Sequence, residues 1–222
     1  MLRLEAAELA RLLTRFPAEA LSPCLNLGSG TRTFREAQQP YIQKLLFEPL
    51  ARHGIHIIHS DLKAGDGVDV SGNVFDPGVQ ARLRQLAPKS VICSNMLEHV
   101  RDREGLAAVC RSLLAPGGVI AVTVPRSYPY HSDPIDTLYR PTPEEIAGLF
   151  PEFVLRYRHV VSDGSFREQL RKARGGFAVG VSKWGLRLLS PFYRPRAWLS
   201  YVHSTLWLWR PYQVSVAVLQ KA

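Results

Sequence analysis

The feature that most constrains the fold is a short apolar run that leads directly into two glycines around one serine. The run extends from Cys24 to Leu27, and Gly28-Ser29-Gly30 follows it. Glycine adopts backbone conformations that other residues avoid, so such a turn at the carboxyl end of a strand exposes backbone N–H groups to a ligand. The same residues also suit an ordinary tight turn. The elements that follow decide between these two interpretations.

Apolar patterns along the rest of the chain predict strands and helices in alternation. An amphipathic helix that covers the sheet is expected between Leu2 and Phe16, where apolar residues recur at helical spacing. Further strands are expected over 55–61, 68–70, 90–95, 119–124, 153–161 and 212–219, and further helices over 41–53, 79–86, 102–114 and 143–150. Thr142 and Glu145 have the spacing of a capping box. This alternation predicts an α/β fold with a mostly parallel sheet.

Composition and cysteine usage narrow the class of protein. With 222 residues, of which 46% are hydrophobic, the chain is long enough for one domain with a substantial core. It has no uninterrupted apolar run of about 18 residues and no signal-peptide core, so no spanning helix is expected. Cys24, Cys93 and Cys110 are far apart and odd in number. This favours reduced packing residues over disulfides or a zinc site. We therefore expect a cytoplasmic protein without a bound metal.

Four motifs follow one another along the chain: the segment from Leu25 to Thr31, Asp61 at the end of the second strand, the segment from Met96 to Val100, and the segment from Leu114 to Gly118. In this order they resemble the class I S-adenosylmethionine-dependent methyltransferases, in particular the small-molecule, type 11-like branch. The similarity covers roughly residues 20–163 and the last strand. It implies a Rossmann-like sheet of seven strands with helices on both faces, and S-adenosylmethionine as cofactor. It also implies O- or N-directed methyl transfer to a small polar acceptor, with sugar-containing and lipid-linked acceptors left open.

The resemblance also implies a cofactor site at the carboxyl ends of the strands. Gly28 and Gly30 would let the methionine end approach the backbone, and Asp61 would accept hydrogen bonds from the ribose hydroxyls. Asn73 would accept a hydrogen bond from the adenine amino group. The other implied cofactor-binding residues are Asn26, Ser29, Leu62, Val74, Asn95, Met96 and Leu97.

Three residues depart from the family pattern. Asn26 and Asn73 stand where many relatives carry an acid, and Arg32 stands where a third glycine is common. These departures leave a function of a different class open, namely a non-catalytic methyltransferase-like binding module that acts as a partner or membrane-docking subunit. For Glu98 and His99, capping or packing of the following helix is favoured over chemistry.

The loop after the fifth strand carries the candidate acceptor site. It resembles a His-x-x-Pro-x-Asp-x-x-x-Arg pattern of sugar- and small-metabolite-associated relatives. His131 is the candidate general base, because imidazole titrates in the useful pH range. The candidate substrate-binding residues are Tyr130, Asp133, Asp136, Tyr139 and Arg140. In the alternative interpretation, Asp136 and Arg140 pair with each other and brace the loop.

A basic, aromatic-rich helical insertion is expected over residues 164–211, before the last strand. This segment holds nine basic residues, one acidic residue and all four tryptophans, and so carries most of the net charge of +9. Three interpretations remain open: a helical lid on the acceptor pocket, a peripheral contact with an anionic membrane surface, and a nucleic-acid surface. The last ranks lowest, because aliphatic residues interrupt the basic ones. Nothing in the sequence indicates an oligomeric state.

Overall fold

The computed structural model of the chain describes residues 1–131, 135–172, 176–188, 198 and 202–222. Seven strands within these residues form one sheet, in the order β3-β2-β1-β4-β5-β7-β6. Strands β1 to β5 run parallel, and β7 lies antiparallel between β5 and β6. The strand bounds are β1 Cys24–Leu27, β2 Ile57–Asp61, β3 Val70–Ser71, β4 Ser90–Ser94, β5 Val119–Ser127, β6 Phe153–Ser165 and β7 Pro211–Lys221. The predicted fold class, a mostly parallel α/β sheet of seven strands, is confirmed.

Helices connect these strands at nearly the predicted positions. Their bounds are α1 Arg3–Leu13, α2 Ala18–Leu21, α3 Pro40–Ile42, α4 Glu48–Arg52, α5 Pro77–Gln85, α6 Arg103–Leu113, α7 Pro143–Gly148, α8 Phe166–Arg171 and α9 Gly176–Leu188. The helix predicted over 41–53 is divided, because π-helical turns occupy Phe34–Gln38 and Gln43–Phe47. The capping box predicted at Thr142 and Glu145 is present, with both reciprocal hydrogen bonds.

Two apolar clusters lie on opposite faces of the sheet. Leu83 of α5 and Leu106 of α6 belong to one cluster, and Leu9 of α1 and Leu50 of α4 belong to the other. The helix α1 packs against β6 and β7, as its apolar face predicts. The three cysteines are buried free thiols within these clusters.

The insertion between β6 and β7 is helical where the structure describes it. The helix α8 begins at the Ser165 cap, α9 follows, and a 3₁₀ turn occupies Thr205–Leu208. Leu170 of α8 and Trp207 of the 3₁₀ turn are buried. Residues 173–175, 189–197 and 199–201 of the predicted insertion lie outside the described residues. None of the described helices combines the length and the apolar character that a membrane crossing needs.

Candidate functional site

A cavity of about 540 Å³ lies where β1, β4 and β5 end, and α1 closes one side of it. Its size is within the range of small-molecule sites, and its position matches the crevice at which open α/β sheets bind ligands. The chemically most informative residues in its lining are Glu5, Gly28, Asn95, Glu98, His99 and His131.

The turn after β1 requires glycine at two positions. Gly28 and Gly30 have φ angles of 69° and 62°, in the left-handed region. A Cβ atom on Gly28 would lie 3.4 Å from the Met96 Sδ atom, and one on Gly30 would lie 2.7 Å from the Phe34 Cδ1 atom. Side chains are therefore disfavoured at both positions, at Gly28 by the backbone conformation and at Gly30 also by the contact with Phe34. Gly28 lines the cavity, so the backbone is open to it there.

Asp61 lies on the same rim as this turn. Its Oδ2 atom accepts a hydrogen bond of 2.8 Å from the Gly30 N–H, and its Oδ1 atom accepts one of 3.1 Å from the Lys63 N–H. The parallel register, in which Leu27 lies opposite Ser60, brings the ends of β1 and β2 together. The expected proximity of the glycine turn and the acid of the second strand is present.

The residues expected to form the adenine side lie outside the lining of the cavity. The Asn73 Oδ1 atom accepts a hydrogen bond of 3.1 Å from the Phe75 N–H, so this side chain closes its own turn. Val74 packs against the apolar core, and Leu62 is 66% exposed. The structure places these residues beside the end of β2 and β3, at the surface.

Asn26 and Met96 lie close to the glycine turn, but Leu97 does not reach the cavity. The Asn26 Nδ2 atom is 3.2 Å from the His59 Nδ1 atom, and burial lowers the pKa of His59 to about 4. The neutral imidazole can therefore accept the amide hydrogen. Leu97 is 1% exposed and belongs to the core.

Glu5 is a site residue that the sequence analysis missed. Its carboxylate is fully buried at the cavity, where Oε1 accepts hydrogen bonds of 2.7 Å from Asn95 Nδ2 and from Thr123 Oγ1. Its Oε2 atom accepts one of 2.7 Å from the Leu2 N–H. A signal was present in the sequence, because Glu5 precedes Leu9 by four residues and so lies on the apolar face of α1.

A cluster of three titratable side chains also lines the cavity. Glu98, in the 3₁₀ turn Leu97–His99, is 1% exposed, and neither of its carboxyl oxygens has a hydrogen-bond partner among the described residues. Burial, reinforced by the charge of Glu5, raises the pKa of Glu98 to about 8. Glu98 is therefore mostly protonated at neutral pH.

The two histidines of this cluster are oriented by their neighbours. His99 Nδ1 bonds to the Ile135 carbonyl, and His99 Nε2 lies 3.7 Å from Glu98 Oε1. The His99 and His131 rings meet edge to face, with their centroids 5.1 Å apart. Burial lowers the pKa of His131, although Asp136 partly offsets this effect. One ligand-type atom from each of Glu98, His99 and His131 lies within 4.8 Å of the others.

The predicted substrate loop is held by contacts within the protein. Arg140 NH2 and NH1 lie 2.6 Å and 3.0 Å from the two Asp136 carboxylate oxygens. Burial alone would raise the pKa of Asp136, but Arg140 and two backbone N–H groups lower it. The alternative interpretation, in which this pair braces the loop, has the geometry it requires. Asp133 lies outside the described residues.

The two tyrosines of this loop lie away from the cavity lining. The Tyr130 N–H is 3.1 Å from the His203 Nδ1 atom, which links the loop to the insertion. The Tyr139 ring packs against the core, with the Arg103 guanidinium 4.3 Å from its centroid. Of the predicted catalytic and substrate-binding side chains that are described, His131 is the one in the cavity lining.

Comparison with known proteins agrees with this architecture. Residues 1–179 match a family model described as a methyltransferase domain. No curated protein matches the sequence.

Solved structures with the same fold include several methyltransferases. A SAM-dependent methyltransferase from Archaeoglobus fulgidus has a TM-score of 0.52 and 17% identity, over 98% of this chain and 93% of that chain. A SAM-dependent methyltransferase from Anabaena variabilis has a TM-score of 0.57 and 13% identity, over 99% and 84%. Coclaurine N-methyltransferase, bound to N-methylheliamine and SAH, has a TM-score of 0.52 and 10% identity, over 99% and 70%. At these identities the likeness shows the fold.

Proposed function

This chain belongs to the class I S-adenosylmethionine-dependent methyltransferases, and we propose that it methylates an oxygen or nitrogen of a small polar acceptor held in the cavity beside His131. The observation that carries this proposal is the shared cavity. The glycine turn after β1 and the cluster of Glu98, His99 and His131 both line it.

The described residues fit the methyl donor of this family. Gly28 has a left-handed backbone whose missing Cβ leaves room at the cavity, and Asp61 offers a carboxylate on the same rim. We assign the methionine end to Asn26, Gly28, Ser29, Asn95 and Met96, and the adenosine end to Asp61. The adenosine end would extend along Leu62, Asn73 and Val74. The predicted role of Gly30 and Leu97 remains at the methionine end.

S-adenosylmethionine supplies the methyl group, which passes from its sulfonium sulfur to the acceptor atom while that atom gives up a proton. His131 would accept this proton, because burial lowers its pKa and keeps the ring neutral at pH 7. The His99 ring contacts the His131 ring, and the Asp136 carboxylate, 3.8 Å from His131 Nε2, would stabilise the protonated histidine. Asp136 and Arg140 would hold the loop that positions His131, because the Asp136 Oδ2 atom accepts a hydrogen bond from the His131 N–H. The substrate-binding roles of Tyr130, Asp133 and Tyr139 stay predictions from the sequence.

Binding and turnover test this proposal separately. Isothermal titration calorimetry with S-adenosylhomocysteine should show saturable binding. A labelled-methyl assay with metabolite extracts, sugar-containing and lipid-linked acceptors among them, should then show transfer. Binding without transfer to any fraction would favour the non-catalytic binding module.

The base assignment has a matched control. His131→Ala should lower kcat by about 10²–10⁴-fold and leave the affinity for S-adenosylhomocysteine unchanged. His56→Ala, which removes an exposed histidine before β2, should leave both unchanged. Full turnover by His131→Ala would remove His131 as the base.

No metal is part of this proposal, although histidine and glutamate also occur together in metal sites. We expect protein treated with EDTA to keep its turnover. A requirement for an added divalent cation would instead assign Glu98, His99 and His131 to a metal and would contradict the proton-transfer roles given above.

We also propose that the protein is cytoplasmic and that its insertion, residues 164–211, contacts anionic membrane surfaces. The support is the high basic charge of the segment together with exposed apolar side chains, namely Leu186, Leu206 and Trp209 at 68%, 46% and 81% exposure. In flotation assays the protein should bind vesicles with anionic lipid but not neutral vesicles. Trp209→Ala should weaken binding, and Leu4→Ala, at an exposed position on α1, should not. No flotation with anionic vesicles would leave the insertion as a lid.

A further inference from the structure

We propose that Glu5 of α1 binds the α-ammonium group at the methionine end of S-adenosylmethionine. This inference rests on the proposed function, and it assigns to the amino-terminal helix a direct role in holding the methyl donor.

The carboxylate of Glu5 has no ion-pair partner among the described residues. Its side chain is 0% exposed, and all three of its hydrogen-bond donors are neutral groups. No ion pair of Glu5 occurs in the described structure, and no described lysine or arginine lines the cavity. The Met1 amino terminus also lines it, and its positive charge acts on Glu98 and His131 without forming an ion pair with Glu5. A buried anion without a cation is costly, so a ligand cation beside Glu5 would offset this cost.

The Glu5 carboxylate lies beside the end of β4, in the cavity that Gly28 also lines. Glu5 Oε1 lies 2.7 Å from Asn95 Nδ2, and Asn95 follows β4 at the same sheet edge as the glycine turn. Glu5, Asn95 and Gly28 all line the one cavity. The carboxylate is therefore on the side of the cavity where the backbone can admit the methionine end.

Asn26, near the end of β1, is uncharged. The Asn26 side chain is an amide whose Nδ2 atom lies against His59, so it contributes no negative charge at the end of β1. In the described lining of the cavity, the carboxyl groups belong to Glu5 and Glu98. Glu98 is mostly protonated at neutral pH, which leaves Glu5 as the anion available to an ammonium group.

A purely structural role is the competing explanation, because Glu5 also caps the Leu2 N–H and joins α1 to Thr123. Two related ligands separate the roles. S-adenosylhomocysteine carries the α-ammonium group, whereas 5′-methylthioadenosine has the same adenosine and thioether without the amino-acid end. A structural defect would weaken the binding of both ligands. Loss of the partner of the ammonium group would weaken only the binding of S-adenosylhomocysteine.

The experiment is calorimetric titration of both ligands into wild-type protein, Glu5→Gln and Glu19→Gln. Glu19 is an exposed acid on α2 and serves as the matched control. Glu5→Gln should lower the affinity for S-adenosylhomocysteine by about 10- to 100-fold, which is the effect of one charged hydrogen bond. It should change the affinity for 5′-methylthioadenosine less than twofold. Glu19→Gln should change neither.

Equal weakening of the two ligands by Glu5→Gln, or no weakening, overturns the inference while the proposed function stands. Failure of the wild-type protein to bind S-adenosylhomocysteine overturns the proposed function itself. If Glu5→Gln does not fold, the wild-type protein is titrated with an S-adenosylhomocysteine analogue in which hydrogen replaces the α-amino group. At least about 10-fold weaker binding of this analogue supports the inference, and equal binding overturns it.

Discussion

Replacement of Glu98 by glutamine should stabilise the protein, and the gain should grow as the pH rises from 5 to 8. Both carboxyl oxygens of Glu98 are buried without a hydrogen-bond partner among the described residues, and burial raises its pKa to about 8. An acid whose pKa is raised on folding holds its proton more tightly in the folded state. The contribution of Glu98 to the free energy of unfolding is therefore fully present below the unfolded pKa. It is lost as the pH rises through the folded pKa.

The magnitude follows from the two pKa values. The ordinary value of 4.5 and the folded value of about 8 differ by about 3.5. At about 1.4 kcal/mol for each pKa unit, the wild-type protein loses up to about 5 kcal/mol of unfolding free energy between pH 4.5 and pH 8. Glutamine has a similar shape and no titration, so Glu98→Gln avoids this loss. We expect a gain of at least about 2 kcal/mol at pH 8 and almost none at pH 5.

Urea unfolding at pH 5, 6, 7 and 8 measures this difference. Glu36→Gln is the matched control, because Glu36 is an exposed glutamate in the π-helical turn Phe34–Gln38. The Glu36→Gln and wild-type unfolding free energies should differ by a constant amount across this range. If the Glu98→Gln and wild-type values also differ by a constant amount from pH 5 to pH 8, Glu98 does not keep its proton in the folded protein and the reasoning fails.

Three further predictions concern the candidate site. Burial holds the pKa of His131 below 6.5, so kcat/KM should fall only below that pH, as the ring gains a proton. If the pH–rate profile of His131→Ala keeps the same acid limb, His131 is not the general base. Gly30→Ala, whose Cβ would lie 2.7 Å from Phe34 Cδ1, should lose at least about 1–2 kcal/mol in urea unfolding, whereas Gly148→Ala, with open space at its Cβ, should not. Asp61→Asn should weaken S-adenosylhomocysteine about 10-fold in calorimetry, and unchanged affinity would contradict the ribose assignment.

The sequence predicts the scaffold well because its signals are local. The apolar runs of β4 and β5 identify buried strands, and Thr142 with Glu145 marks a helix start through bonds that span three residues. Gly28 and Gly30 likewise indicate left-handed backbone conformations, which are determined within the turn itself. Such features depend little on the rest of the fold, so their positions could be predicted to within a few residues.

The acid–base part of the site could not be predicted in this way, because it depends on distant contacts. Glu5 meets Asn95 and Thr123, which are 90 and 118 residues away along the chain. Glu98 is covered by the loop after β5, where the Thr137 N–H donates to the Glu98 carbonyl at 2.9 Å. The position of Glu5 on the apolar face of α1 indicates that it is buried, but the local pattern around Glu5 and Glu98 does not identify the distant residues that they meet.

The two buried acids of the cavity, Glu5 and Glu98, should also couple the binding of S-adenosylmethionine to the protonation of Glu98. The negative charge of Glu5 contributes to the raised pKa of Glu98, so a ligand cation that neutralises Glu5 should lower that pKa. At pH 8, where Glu98 is about half protonated, binding of S-adenosylmethionine should then release up to about half a proton. At pH 6 it should release almost none, because Glu98 stays protonated in both states.

Calorimetric titrations in two buffers of different ionisation enthalpy measure the released proton directly. Glu98→Gln should abolish the release at pH 8 and keep the affinity for the donor, since the glutamine cannot titrate. Glu36→Gln should release as much as the wild-type protein. Equal release by the wild-type protein and Glu98→Gln would show that the proton comes from another group, and the two carboxyl groups would then act independently.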